Sequence, residues 1–155
     1  MISIRHILVA TDFGETSTAA VQRAIQLSEA FQAQLDVLHV VEEPYGYLGN
    51  IHGYLPEVDA FRATLNDAAR TQLHQVMSPE EVERRKVHLA LRTGTPYVEI
   101  VRYAKDQDVD LIVLGTHGRG SVRHMLLGSV AEKVVRYAHC AVLTTPHPSA
   151  EPAGN

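Results

Sequence analysis

The chain of 155 residues has the length of a single domain. Its residues are 45% hydrophobic and 21% charged, which excludes a mainly disordered or collagen-like chain. The one cysteine, Cys140, excludes an internal disulfide framework and a cysteine-based zinc cage. No apolar run approaches the roughly 20 residues that span a bilayer, and no signal peptide is evident. We therefore expect a cytoplasmic protein that is not inserted in a membrane.

The formal net charge of −4 predicts no general attraction to nucleic acid. Residues 115–137 nevertheless contain four basic side chains and one acidic side chain, so the rest of the chain carries −7. A basic segment in an acidic protein suits a local anion site. Chance surface patterning explains the same asymmetry equally well.

In the first half of the chain, the apolar β-branched segment at residues 4–11 predicts a buried strand. Apolar residues at helical spacing predict a helix over 16–33, and a second apolar segment predicts a strand over 35–41. Residues 43–56 are rich in glycine, proline and tyrosine and predict a long loop, either a functional segment or a surface insertion. A helix over about 57–76 follows.

In the second half, the residues from Ser78 to Glu81 predict a capping box that begins a short helical turn. Thr95 and Pro96 predict the start of a helix that ends near Lys105. The remaining segments predict strands over 87–91, 109–115 and 141–145, a helix over 129–138, and a disordered tail over 147–155.

Strands that alternate with helices predict right-handed crossovers and a parallel sheet covered on both faces. Five strands and four main helices are enough for one doubly wound α/β domain over residues 1–146. In such a sheet, ligands bind beyond the carboxyl ends of the strands, where the strand order reverses.

A glycine-rich segment follows the fourth predicted strand and ends where the last helix begins. Gly115, Gly118, Gly128 and Ser129 suit a phosphate cradle, because glycine lets backbone N–H groups approach an anion and permits positive φ. The Ser129 hydroxyl can also cap the helix, and Arg119 supplies positive charge. The alternative is a tight turn that needs glycine, with Ser129 only an N-cap.

The spacing Gly115-x2-Gly118-x9-Gly128-Ser129 resembles the nucleotide-binding motif of the universal stress protein family. The resemblance extends to residues 7–13, 38–40, 126–131 and 140–143. It implies a Rossmann-like fold of the adenine nucleotide α-hydrolase type, with strand order 3-2-1-4-5. It also implies an ATP-binding regulatory module, a homodimer formed through the last strand, and a regulatory partner that the sequence does not identify.

The resemblance also implies which residues hold the nucleotide. Asp12 would bind the ribose, although a carboxylate at this position also suits a cap for the following helix through Thr16 or Ser17. The adenine and the sugar would lie against Ala10, Thr11, Val40, Leu114 and Gly115. The phosphates would be held by Gly118, Arg119, Gly128, Ser129 and Val130. Mg²⁺ or Mn²⁺ would be held through the phosphates of ATP and not in a protein cage.

Other readings are weaker. A slow ATP hydrolase would need a general base to activate water, and His117 is the only candidate for it. The chain also has no Walker lysine. A nucleotide-free dimerisation protein would not need the intact glycine motif. His39 lies in a predicted strand and suits packing, while His117 and His124 lie in or near the glycine loop. A flavin-phosphate loop after the first strand would be short of hydroxyl groups.

Overall fold

The computed structural model describes residues 3–42, 56–116 and 127–147. It contains one sheet of five strands, all parallel, in the order β3-β2-β1-β4-β5, which confirms the predicted topology. The strands are β1 (His6–Ala10), β2 (Gln34–Val41), β3 (His88–Thr93), β4 (Leu111–Gly115) and β5 (Ala141–Thr145).

Five helices connect and cover the strands. They are α1 (Glu15–Phe31), α2 (Pro56–His74), α3 (Pro79–Arg85), α4 (Pro96–Asp106) and α5 (Ser129–Tyr137). The fourth strand starts at Leu111 and not at Val109 as predicted, because the Val109 N–H donates to the Ala104 carbonyl and belongs to the end of α4. The third strand is longer than predicted and continues to Thr93.

Two hydrophobic cores lie on opposite faces of the sheet. Side chains alternate along each strand. The side chains of Ile7 and Val9 in β1 therefore lie on the face of the sheet that α1 covers, and the side chain of Leu8 lies on the opposite face. That second face is covered by α4 and α5, through residues such as Ala104 and Val134. The apolar run of β1 is thus explained by burial on both sides.

Two predicted helix starts behave differently. The Ser78 hydroxyl accepts the Glu81 N–H at 3.2 Å, as a capping box requires. Thr95 occupies the N-cap position of α4, but its side chain makes no capping hydrogen bond within the described residues. Thr95 therefore marks the start of α4 without capping it through its hydroxyl.

The chain beyond the last strand and the loop after β2 are only partly described. Residues 43–55 of the predicted loop lie outside the described residues, and Pro56 already belongs to α2. His147 begins the predicted tail, and its Nε2 lies 3.1 Å from Glu15 Oε2. The other tail residues, 148–155, lie outside the described part. Among the helices that are described, none is long and apolar enough to cross a membrane.

Candidate functional site

A cleft of about 740 Å³ opens at the carboxyl ends of β1, β2 and β4. β2 and β3 lie on one side of β1, whereas β4 and β5 lie on its other side. The strand order therefore reverses between β1 and β4. The cleft therefore occupies the position where doubly wound sheets bind ligands. Its volume falls within the range of roughly 300–1,000 Å³ that is usual for small-molecule sites.

Nine of the residues that the sequence predicts for a nucleotide line this cleft together. They are Ala10, Thr11, Asp12, Val40, Leu114, Gly115, Gly128, Ser129 and Val130. The other two predicted residues, Gly118 and Arg119, lie outside the described residues, as do His117 and His124. The fold thus brings together residues that are more than 100 positions apart in sequence.

The turn between β1 and α1 fixes the position of Asp12. One carboxylate oxygen, Oδ1, accepts the Gly14 N–H at 3.0 Å and the Ser17 hydroxyl at 2.7 Å. The N-cap residue of α1 is Gly14, which has no side chain to cap the helix. Asp12 therefore supports the start of α1, as the alternative reading of this residue proposed, while it also lines the cleft.

The same turn places Phe13 in the left-handed region, with φ of 65°. For a residue other than glycine this conformation costs roughly 1–2 kcal/mol. Two contacts hold it: the Phe13 N–H donates to Thr11 Oγ1 at 3.0 Å, and the ring stacks on His39 with centroids 4.2 Å apart. His39 Nδ1 donates to the Thr11 carbonyl at 2.8 Å, so this histidine ties β2 to the turn that carries Asp12.

Gly115 owes its identity to packing and not to backbone conformation. A Cβ at this position would lie 2.6 Å from Thr16 Cγ2 and 3.1 Å from the Thr16 backbone carbon, so α1 could not pack as closely over the end of β4. Positive φ, which glycine permits, is found among the described glycines only at Gly94. Gly128 has an ordinary φ of −70°.

The first turn of α5 faces the cleft with backbone donors. The N-cap residue is Gly128, so the reading of Ser129 as the N-cap is wrong, and no side-chain cap is found within the described residues. The Gly128 N–H donates a hydrogen bond to the Thr116 carbonyl at 2.6 Å. The next three residues, Ser129, Val130 and Ala131, line the cleft, and the N–H groups of a first turn have no intrahelical acceptor. The positive end of the helix dipole lies at the same place.

The described wall of the cleft is acidic. Among the described lining residues, Asp12 and Glu42 are the only ones with a formal charge at neutral pH. A second, smaller cleft of about 350 Å³ shares Glu42, Pro96, Ser129 and Val130 with the first. It contains Lys133, whose ammonium lies 4.9 Å from the centroid of the Tyr97 ring. This lysine therefore lies in a cleft that borders the start of α5.

Sequence reasoning missed one wall of the cleft. Helix α2 contributes Leu65, Ala68, Ala69 and Gln72, and α4 contributes Pro96 and Ile100. Helix periodicity identifies an apolar face but does not say whether that face meets the sheet or borders a cavity. Ser17 and Thr116 were missed as lining residues, because only the fold shows that the first turn of α1 and the residue directly after β4 border the cleft.

The model of the universal stress protein family matches residues 3–146. The universal stress protein MJ0531 of Methanocaldococcus jannaschii is 32% identical over 148 residues, which cover 95% of this chain and 85% of that protein. Among solved structures, MJ0577 of the same organism superposes with a TM-score of 0.78 at 26% identity, covering 96% of this chain and 100% of that one. A universal stress protein in complex with cAMP gives a TM-score of 0.58 at 24% identity, with 94% and 99% covered.

Proposed function

Because this chain belongs to the universal stress protein family, we propose that it is a regulatory module that binds an adenine nucleotide, with ATP as the principal ligand. The single observation that carries the proposal is the convergence of the predicted residues on one cleft at the switch point of the sheet. One relative of the same fold was solved with an adenine nucleotide, cAMP.

The nucleoside end of the ligand would occupy the part of the cleft between β1, β2 and β4. Val40, Leu114 and Ile100 provide apolar surface on which a planar base can lie. Asp12 stands at the end of β1, where its carboxylate would accept a hydrogen bond from a ribose hydroxyl. The hydrogen bonds from Gly14 and Ser17 orient this carboxylate before any ligand arrives.

The phosphate end would lie against the first turn of α5. Three successive residues there, Ser129 to Ala131, present backbone N–H groups and the positive helix end to the cleft. No described side chain caps this turn. The Ser129 side chain is exposed, so its hydroxyl is accessible to a phosphate oxygen.

Neutralisation of the phosphates requires more positive charge than the described wall supplies. Asp12 and Glu42 are acidic, so we assign this role to Arg119 and Arg123 of the glycine-rich segment together with Lys133. A divalent cation, Mg²⁺ or Mn²⁺, would be held through the phosphate oxygens, which such ions prefer to a dedicated cage.

Binding, and not turnover, is the activity that this arrangement favours. In this placement the Asp12 carboxylate contacts the sugar, and the Gly14 N–H and the Ser17 hydroxyl already engage it. His39 donates its Nδ1 proton to a backbone carbonyl and stacks on Phe13. Both side chains thus have structural partners. We therefore propose that hydrolysis is slow or absent, and a single-turnover assay with purified protein measures it directly.

The nucleotide would act through a homodimer. β5 lies at the end of the sheet, paired with β4 in the described structure, and its outer edge is a template for another strand. Leu143 on β5 is 37% exposed, and Val135 and Tyr137 on the neighbouring α5 are 48% and 56% exposed. These apolar side chains support association of two copies through the last strand.

Calorimetric titration with ATP, AMP and adenosine tests the phosphate assignment. Ser129→Ala removes one hydroxyl from the start of α5 without a cap being lost. ATP affinity should fall about tenfold or more, since hydrogen bonds to charged groups contribute roughly 1.5–3 kcal/mol, while adenosine affinity stays unchanged. Ser78→Ala is the matched control, because Ser78 caps α3 and does not line the cleft. Equal ATP affinity in the wild-type and Ser129→Ala proteins would contradict this placement of the phosphates.

A further inference from the structure

The turn between β1 and α1, residues 11–14, contains a backbone conformation that its sequence does not favour. Phe13 has φ of 65°, in the left-handed region that suits glycine and in which a bulky aromatic residue is an outlier. The next residue, Gly14, has an ordinary φ of −79°. The left-handed position therefore falls on Phe13 and not on the glycine beside it. Such a conformation persists only where its surroundings hold it, and residues of this kind cluster at functional sites.

The His39 imidazole of β2 holds this turn at two points. Its ring lies against the Phe13 ring, with centroids 4.2 Å apart and an angle of 32° between the planes. Its Nδ1 lies 2.8 Å from the Thr11 carbonyl, which can only accept, so Nδ1 carries a hydrogen and donates it. These two contacts fall on the residues directly before and directly after Asp12. One side chain of β2 thus fixes the backbone on both sides of Asp12.

A chain of hydrogen bonds connects the strained residue to the carboxylate. The Phe13 N–H donates to Thr11 Oγ1 at 3.0 Å, and Thr11 Oγ1 lies 3.1 Å from Ser17 Oγ. The Ser17 hydroxyl donates to Asp12 Oδ1 at 2.7 Å. Both hydroxyl residues are buried, where linked hydrogen bonds reinforce one another. The conformation at Phe13 is therefore coupled to the direction in which the Asp12 carboxylate points.

The parts of this arrangement differ in how close they come to a ligand. Thr11, Asp12, Ser17 and His39 line the cleft, whereas Phe13 is not among the described residues that line it. Phe13 therefore acts on a ligand only through its neighbours. The residue after His39 on β2 is Val40, whose side chain belongs to the core on the opposite face of the sheet.

We propose that His39 is a positioning residue for the ribose end of the nucleotide. It holds the strained turn so that the Asp12 carboxylate meets a ribose hydroxyl. The inference rests on the proposed function, because it requires a nucleotide in the cleft. The ligands that this device selects are ribonucleotides, in preference to nucleotides that lack the 2′ and 3′ hydroxyl groups. A residue that only stabilised the fold would affect the binding of both kinds equally.

Calorimetric titration of the full chain with ATP and with 2′,3′-dideoxy-ATP tests the proposal. The wild-type protein should bind ATP about tenfold more tightly or better, as expected for a hydrogen bond to a charged group. His39→Phe keeps a ring against Phe13 but removes the donor to the Thr11 carbonyl. It should weaken ATP binding about tenfold and change the affinity for dideoxy-ATP by less than about twofold.

Two further variants separate the hydrogen bond from general effects of substitution. His39→Asn places an amide nitrogen near the position of Nδ1, so it should recover part of the preference for ATP. His88→Phe is the matched control, because His88 lies at the amino end of β3 with a side chain that is 61% exposed and outside the cleft. It should keep the wild-type ratio of the two affinities.

Nuclear magnetic resonance of the wild-type protein gives a readout that does not depend on any variant folding. The ring nitrogen resonances of His39 at pH 7.5 should show a hydrogen on Nδ1, with exposed His74 as the reference in the same sample. A His39 ring without a hydrogen on Nδ1 would overturn the proposal.

Failure of this inference and failure of the proposed function give different results. A wild-type protein that binds neither ATP nor dideoxy-ATP would overturn both. If the wild-type protein binds ATP but shows no preference over dideoxy-ATP, or if His39→Phe keeps the wild-type ratio of affinities, only the role of His39 is overturned. Equal losses for the two ligands in His39→Phe would likewise overturn it, since they would make His39 a structural residue alone.

Discussion

The Ser17 hydroxyl donates a 2.7 Å hydrogen bond to Asp12 Oδ1, the same oxygen that accepts the Gly14 N–H. Asp12 therefore has a structural task that is separable from its proposed contact with the ribose. Asn keeps an oxygen for the two turn hydrogen bonds but removes the charge, whereas Ala removes both.

Asp12→Asn should weaken ATP binding about tenfold and leave the melting temperature nearly unchanged. Asp12→Ala should weaken binding by roughly 10- to 100-fold, the equivalent of about 1.5–3 kcal/mol, and also lower stability by about 1 kcal/mol. Calorimetric titration and thermal unfolding measure the two effects separately. A turnover rate near 1 s⁻¹ that collapses in Asp12→Ala while ATP affinity stays constant would instead make Asp12 catalytic.

Gly115→Ala should destabilise the protein by about 1–3 kcal/mol, because the new methyl group would overlap Thr16 Cγ2. Adding Thr16→Ser removes that Cγ2 and should restore part of the stability; the Thr16 backbone carbon, 3.1 Å from the new Cβ, limits the recovery. Urea unfolding of the two single variants and the double variant measures the coupling. Additive effects in the double variant would show that the contact with Thr16 is not the reason for glycine at this position.

Asp110→Asn should lower the melting temperature at pH 7 by about 2–4 °C. The backbone N–H of Arg5 is the main cause that lowers the pKa of Asp110, and the His6 N–H adds to it against the opposing effect of burial. A lowered pKa means that Asp110 stabilises the fold above the ordinary carboxyl pKa and loses this effect as pH falls below it. The difference from wild type should therefore shrink below about pH 4. Asp106→Asn, at the exposed end of α4, should show no such pH-dependent difference.

Leu143→Lys should convert the proposed dimer largely to monomer, because a charged side chain at a sheet edge opposes strand pairing. Phe61→Lys is the matched control, since Phe61 is similarly exposed, at 44%, but lies on α2. Sedimentation at micromolar concentration distinguishes the two states. A wild-type protein that sediments as a monomer would contradict dimerisation through β5.

Local sequence signals predicted the strands well where burial determines them. The bounds of β5 agree with the prediction because its short β-branched segment is followed by Pro146. The start of β4 was placed two residues early, since Val109 is as apolar as the strand but its N–H closes the end of α4. Hydrophobicity alone does not distinguish a residue that is buried in a strand from one that is buried at the end of a helix.

The parts of the molecule that were not predicted depend on contacts between distant segments. Thr16 opposite Gly115 is such a contact, because nothing near either residue shows that α1 crosses the end of β4 so closely. The pairing of His6 and Asp36 with Tyr103 likewise joins β1, β2 and α4. The N-cap of α5 was misassigned to Ser129 because a serine that follows a glycine has the typical sequence of a cap.

The most direct test of the central claim is a titration of ¹⁵N-labelled protein with ATP, followed through the backbone amide resonances. If the nucleotide occupies the cleft, saturable shifts should concentrate at Asp12, at Val40 and in the first turn of α5, with the largest changes at Ser129 and Val130. The proposal would be contradicted if no saturable shift occurred at millimolar ATP, or if the shifts concentrated on a surface away from the carboxyl ends of β1 and β4.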